Sequence, residues 1–161
     1  MIIQSISEKF MKIFYGLLLL NLCFATAIYA QNNEYDSVLA KKLHADEYGM
    51  KTYVFVILKS GSSVISDKVK EDSIFNGHLN NITRLANEGK LALAGPFGKN
   101  DDQYRGLFIL NVSTIEEAQS LLATDPAVEA KLLEPVLYRW YGSASLQEIP
   151  ELHKKVQKTK F

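Results

Sequence analysis

The sequence predicts an α+β domain whose elements run strand, helix, strand, strand, helix, strand. Three observations predict it. Residues 52–58, "TYVFVIL", and 105–112, "RGLFILNV", are apolar runs rich in β-branched and aromatic residues, of strand rather than helix length. Residues 74–88 carry apolar side chains at helical spacing. Between and after them, glycine, proline and capping residues punctuate the chain at the places where such elements end.

The elements follow in order from that frame. Lys9 and Lys12 precede the apolar run "IFYGLLLLNLCFATAIYA", which ends in small residues and then polar "QNNEYD". This is the order of a secretory signal, so residues 1–30 are expected to be removed near Ala27 or Ala30, with Met11 an alternative start and a periplasmic or secreted location. An uncleaved membrane anchor is the competing reading of the same run. Cys23, the sole cysteine, lies inside it after Leu22 and is not a lipidation site, so the exported chain carries no thiol for a disulfide, a Cys-ligated zinc or a nucleophile. Residues 31–50 form a polar lead-in with two helical turns in "SVLAKKL".

The domain proper spans residues 51–146. After strand one (52–58) comes a polar loop, then a helix over 74–88 that stops at Gly89. Strand two is "LALAG", closed by Gly95 and Pro96; "FGKNDDQY" is a hairpin loop, and strand three follows. Ser113 with Glu116 reads as a capping box opening the helix "TIEEAQSLLAT". Asp125 and Pro126 start a further short helix, "PAVEAKLL", and "EPVLYRWYGS" is strand four. This is the ferredoxin-like βαββαβ arrangement, in which the first and third strands are central. Residues 147–161 form a basic tail, read as a surface helix or a frayed end.

Both helices cover one face of such a sheet, yet strand one is apolar on both sides. An uncovered face forfeits about 25 cal/mol per Å² of apolar surface, so a second copy packed sheet to sheet is expected as a homodimer. Lys and Arg together equal Asp and Glu, and no basic stripe carries interleaved aromatics, which excludes nucleic acid as a partner. Contact with a membrane is expected only through an uncleaved signal or the basic tail. The sequons at Asn81 and Asn111 fall inside predicted regular structure.

One residue fits none of these structural roles. Phe75, Leu79, Ile82, Leu85 and Ala86 share an arc of roughly 120° on the first helix, the usual core-facing stripe. His78 falls inside that arc, whereas Asn80, Asn81 and Arg84 fall outside it, so the imidazole is read as the strongly polar group aimed at the core. A lone histidine on an apolar face is commonly a hydrogen-bonded core residue, and Asp125 is explained as the N-cap of the helix begun by Pro126. As a pair, however, they suit proton transfer: a carboxylate that accepts one imidazole N–H fixes the tautomer and leaves the other nitrogen to take or give a proton.

"GHLNNITRLANEGKLALAGPFG", "TDPAVEAKLL" and "WYGSASL" resemble the YciI-like (YCII-related) proteins over residues 48–146, and "YGM" resembles the lead-in of their secreted branch. The resemblance implies a dimeric α/β barrel of the ferredoxin-like class. It also implies an active-site pair, a histidine of the first helix and an aspartate of an Asp-Pro turn, which here are His78 and Asp125. The reaction of the family is not established. No serine or cysteine nucleophile is evident, so the expected function is lyase- or isomerase-like proton transfer, rather than acyl transfer, on a small, anionic metabolite. Gly95 and Pro96 would let a ligand approach the backbone, Phe97, Trp140 and Tyr141 would form apolar walls, and Arg105 would meet the anion; turn and core roles explain the same residues. No metal and no cofactor are assigned. The alternatives are a noncatalytic periplasmic small-ligand-binding or scaffold module and, ranked below it, a haem-binding or cofactor-free oxygenase with His78 as axial ligand.

Overall fold

The computed structural model describes residues 35–159, so the expected signal segment and the start of the lead-in lie outside the described residues. Helix α1 (Ser37–Lys42) leads into strand β1 (Met50–Ser60), helix α2 (Lys68–Asn87), strands β2 (Leu91–Pro96) and β3 (Tyr104–Leu110), helices α3 (Ile115–Leu122) and α4 (Pro126–Glu129), and strand β4 (Leu133–Ser143). A 3₁₀ turn (Ala144–Glu148) and helix α5 (Ile149–Val156) follow. The four strands form one antiparallel sheet in the order β2-β3-β1-β4, with β1 and β3 central as the apolar runs predict. This mixed α+β order is the ferredoxin-like one. Among the described residues no helix is long and apolar enough to cross a membrane.

Helix α2 begins six residues earlier than the apolar rhythm predicts. Its first turns are polar and carry no stripe, but the Asp67 carboxylate accepts from Val69 N at 2.9 Å and Lys70 N at 3.2 Å and so caps the helix there. At α3 the cap is Thr114 rather than Ser113; its hydroxyl accepts from Glu117 N at 3.2 Å. The predicted cap is thus displaced by one residue, and no box closes, because the Glu117 carboxylate pairs with Lys90 at 2.9 Å instead.

The two sheet faces are packed differently. Val54, Val56, Leu58, Phe108 and Leu110 join Leu85, Ala118 and Leu122 in the main core beneath the helices. Tyr53, Ala92 and Ile109 are buried on the opposite face with Phe55, Leu93, Leu107 and Leu146 around them. Leu146 belongs to the 3₁₀ turn, so the chain after β4 folds back over part of the helix-free face. The Tyr53 hydroxyl donates to Ser143 O at 3.0 Å, and burial pushes its pKa up to about 12. Gln147 donates to Leu43 O at 2.7 Å, and Lys42 pairs with Glu148 at 2.8 Å, which joins the lead-in to the tail. Phe55 and the β4 aromatics Tyr138 and Trp140 on this face stay partly or largely exposed.

The buried side of α2 is rotated from the predicted arc. His78, Asn81 and Leu85 are its buried residues, whereas Leu79 is 39% exposed. The helix packs against α4 as well as β2, so its interior sector turns toward α4 and takes in Asn81. Leu85→Ala is expected to cost about 2–5 kcal/mol in urea unfolding, as for other fully buried leucines. Leu79→Ala is expected to cost less than about 1 kcal/mol; equal losses would restore the arc read from the sequence.

Candidate active site

His78 lies halfway along α2, and Asp125 occupies the turn between α3 and α4. Pro126 takes the first position of α4, where its missing N–H is harmless, and Asp125 caps that helix by accepting from Ala127 N at 2.9 Å. The preceding residue of α2, Gly77, explains how the two elements come close. A β-carbon there would sit 3.0 Å from Pro126 Cγ, so glycine lets α2 approach this turn at a distance where any side chain would push the proline back by a few tenths of an ångström.

At that approach His78 Nδ1 lies 2.7 Å from Asp125 Oδ2. Asp125 is fully buried, and the His78 side chain is 11% exposed. The imidazole stacks on Phe108 of β3, ring centroids 5.9 Å apart, and meets Phe75 edge-on at 6.3 Å. Every fully buried side-chain nitrogen or oxygen among the described residues has a hydrogen-bond partner. His78 Nε2 has none, so it is not fully buried: it reaches the surface through the residual exposure of the ring.

A third polar residue, which the sequence places off the core face, completes the group. Asn81 is buried, and its Nδ2 lies 3.3 Å from Asp125 Oδ2. Burial is the largest single influence on the Asp125 carboxyl and raises its pKa. The hydrogen bond and charge of His78, the Ala127 N–H and the Asn81 amide together outweigh it and hold the carboxyl below its ordinary value. Asn81 is legible in retrospect from its spacing, three residues beyond His78 on the same side of the helix. Phe108 gives no such signal, because only the strand pairing brings it under the ring. The amide of Asn81 bonds Asp125 and that of Asn111 bonds Gly89 O at 2.8 Å, so both sequon side chains have structural duties.

The other predicted site residues fall at two places on the sheet. Gly95 and Pro96 end β2, and Phe97 follows, its ring 5.9 Å from Tyr104 in the hairpin. Arg105 is exposed in β3 and makes no side-chain hydrogen bond or ion pair. Trp140 and Tyr141 belong to β4, at the opposite edge of the sheet from β2, three strand spacings or roughly 14 Å away. Trp140 packs on Tyr53 and Phe55, on the face without helices. Tyr141 points to the other side and donates to Asp46. The structure therefore divides these residues: Trp140 and Tyr141 lie at the far edge of the sheet from β2, whereas Gly95 and Pro96 follow Ala94, the β2 partner of Phe108 on which the His78 ring stacks. Tyr141 lines a separate cleft of about 470 Å³ with His44, Asp46, Thr52, Ser113 and Arg139.

The comparison with known families agrees with the arrangement of strands and helices. The profile of the YCII-related domain matches residues 51–140, more than half of the chain. The chain belongs to the YCII-related family. No curated protein matches it. Among solved structures, the chain is similar to 5-chloro-2-hydroxyhydroquinone dehydrochlorinase (TftG) from Burkholderia phenoliruptrix AC1100, in complex with 2,5-dihydroxybenzoquinone. That likeness has 21% sequence identity and a TM-score of 0.40, and covers 54% of this chain and 92% of that one.

The depressed carboxyl has a measurable consequence in this YCII-related protein. A group whose folded pKa lies below its unfolded value of 3.8 stabilises the fold above that value, and the contribution is lost as pH falls through the folded pKa. Asp125→Asn is expected to be less stable than wild type by about 1–3 kcal/mol near pH 6, as for a lost hydrogen bond to a charged group. The gap should close as urea unfolding is repeated at pH values below about 4. A gap that stays constant across the acid range would show that the carboxylate charge is not what the pair contributes.

Proposed function

We propose that this protein is an enzyme in which His78 transfers a proton on a small metabolite while Asp125 orients the ring and balances the charge it takes up. The observation that supports the reading is the division of labour between the two ring nitrogens: Nδ1 is held at 2.7 Å by a buried carboxylate, and Nε2 is left without a protein partner at the surface. In the proposed step the Nε2 lone pair takes a proton from a carbon next to a carbonyl or carboxylate. The electrons of the broken C–H bond form a double bond and, in a lyase reaction, expel a leaving group from the neighbouring carbon. The imidazolium is balanced by Asp125 and returns its proton to the leaving group or, in an isomerase reaction, to another carbon of the substrate. Apolar walls are supplied by Phe75 and Phe108, which touch the ring, rather than by the aromatics of β4.

A second reading, ligand binding without chemistry, draws support from the cleft beside Tyr141. The Asp46 carboxylate there is occupied by Tyr141 and by the backbone of Tyr48 and Met50. Arg139 on its wall has no hydrogen bond or ion pair, so the remaining charge favours a small anion.

The half-exposed patch of Phe55, Tyr138 and Trp140 is also proposed to seat a second copy of the chain. Light scattering at micromolar protein is expected to give twice the monomer mass; a monomer would leave the patch to another partner.

The proton-transfer reading is tested by deuterium incorporation. Wild-type protein in D₂O with a panel of small carboxylates bearing acidic C–H groups is expected to exchange at least one of them, followed by NMR. His78→Gln should slow that exchange by about 10²–10⁴-fold. A wild type that exchanges none of the panel, or a His78→Gln variant that exchanges as fast as wild type, would favour the binding reading.

A further inference from the structure

We infer that Asn81 is a positioning residue that keeps Asp125 Oδ2 an acceptor and so keeps the proton of His78 on Nδ1, and that Arg84 holds Asn81 in the one orientation able to do so. The functional value of this arrangement rests on the proton-transfer reading of His78, but the arrangement itself is a statement about hydrogen bonds and can fail or hold independently.

The hydrogen-bond chain runs inward from the surface. The Arg84 guanidinium is held by both oxygens of Glu88, one turn along α2, at 2.9 Å each. Its other terminal nitrogen lies 2.7 Å from Asn81 Oδ1 and 2.8 Å from Thr124 Oγ1. The Thr124 hydroxyl has one proton and is 2.7 Å from Leu121 O, so it donates there and accepts from Arg84. Arginine has donors and no acceptor, so the Asn81 atom that faces it must be the carbonyl oxygen. That fixes the amide: its NH₂ group points the other way, at Asp125 Oδ2, 3.3 Å distant.

Asp125 Oδ2 therefore accepts from Asn81, and Oδ1 accepts from Ala127 N. With Oδ1 accepting from a backbone N–H, Oδ2 from an amide N–H, and the carboxyl held below its ordinary value, Asp125 is a carboxylate that only accepts, so in the short contact to His78 it is Nδ1 that donates. A neutral imidazole has a single N–H, so its Nε2 keeps a lone pair, and Nε2 is the nitrogen at the surface. The chain Arg84, Asn81, Asp125, His78 thus delivers a base outward without any group titrating. Thr124 belongs to the same turn as Asp125, so Arg84 also ties α2 to the turn that carries the carboxylate.

The test reads the ring nitrogens directly, with no substrate. Protein labelled with ¹⁵N-histidine is titrated to the neutral imidazole, and His78 is identified by the signals missing from His78→Gln. Wild type is expected to show a protonated Nδ1 and an unprotonated Nε2. Asn81→Asp keeps the shape but turns an acceptor, or a shared proton, toward Asp125, and should abolish that single-tautomer pattern. Asn81→Leu, which removes the donor without adding a charge, should shift it in the same direction if Asn81→Asp does not fold. Arg84→Met should weaken the pattern, and Arg84→Lys, which still donates to Asn81 Oδ1, should restore it. Dispersed backbone amide signals of each variant report on its folding. A wild-type proton on Nε2, or a His78 pattern unchanged in folded Asn81→Asp and Asn81→Leu, would overturn the inference. A purely structural Asn81 would give the latter result, with a lower melting temperature alone. Loss of deuterium exchange in His78→Gln is a separate measurement, so failure of the proton-transfer reading would not be mistaken for failure of this one.

Discussion

The contact between His78 Nδ1 and Asp125 Oδ2 is the interaction on which the interior of the helical layer depends. A buried carboxylate is tolerated only when donors surround it, and Asp125 has three, from an imidazole, an amide side chain and a backbone N–H. Each donor comes with a demand on the fold. The backbone N–H requires α4 to begin at Pro126. The imidazole and the amide require α2 to lie close against that turn, which Gly77 permits at a cost of about 1 kcal/mol in helix propensity. Phe108, on a central strand, supports the ring from below. The N-cap role of Asp125 and its role beside His78 are thus compatible, since they use different oxygens of one carboxylate.

The sheet and its order were readable because strand burial leaves a strong pattern. In β1, alternate residues enter the two cores, Val54, Val56 and Leu58 on one side and Tyr53 and Phe55 on the other, and the unbroken apolar run reports both. The start of α2 was not readable from apolar rhythm, because its first turns face solvent and only the Asp67 cap marks them. The two pair residues were legible as anomalies, a histidine inside an apolar arc and an aspartate before a proline. Asn81 was hidden for a physical reason. A helical wheel assumes one covered side, whereas α2 is covered by the sheet and by α4 together, and polar side chains can occupy the added sector when a buried charge awaits them. Trp140 and Tyr141 do not form one wall for another reason: they are neighbours in sequence, but strand alternation sends them to opposite faces.

The segments flanking the domain have a structural role that their polar composition conceals. Gln147 alone joins the lead-in, the 3₁₀ turn and, through Asn111, the end of β3. Leu146 covers the Tyr53 end of the helix-free face. What remains of that face is the aromatic half around Trp140, so any second copy must be accommodated beside the tail rather than over the whole sheet.

The central claim is that a largely buried histidine presents an unprotonated Nε2 at the surface. Diethyl pyrocarbonate acylates neutral imidazole nitrogens, and the chain has three histidines, of which His44 and His153 are exposed and serve as internal standards. Brief treatment of the folded protein near neutral pH, followed by peptide mass spectrometry, is predicted to label His78 along with the other two. Labelling of His44 and His153 with His78 untouched until the protein is unfolded would contradict the account and make His78 a core residue.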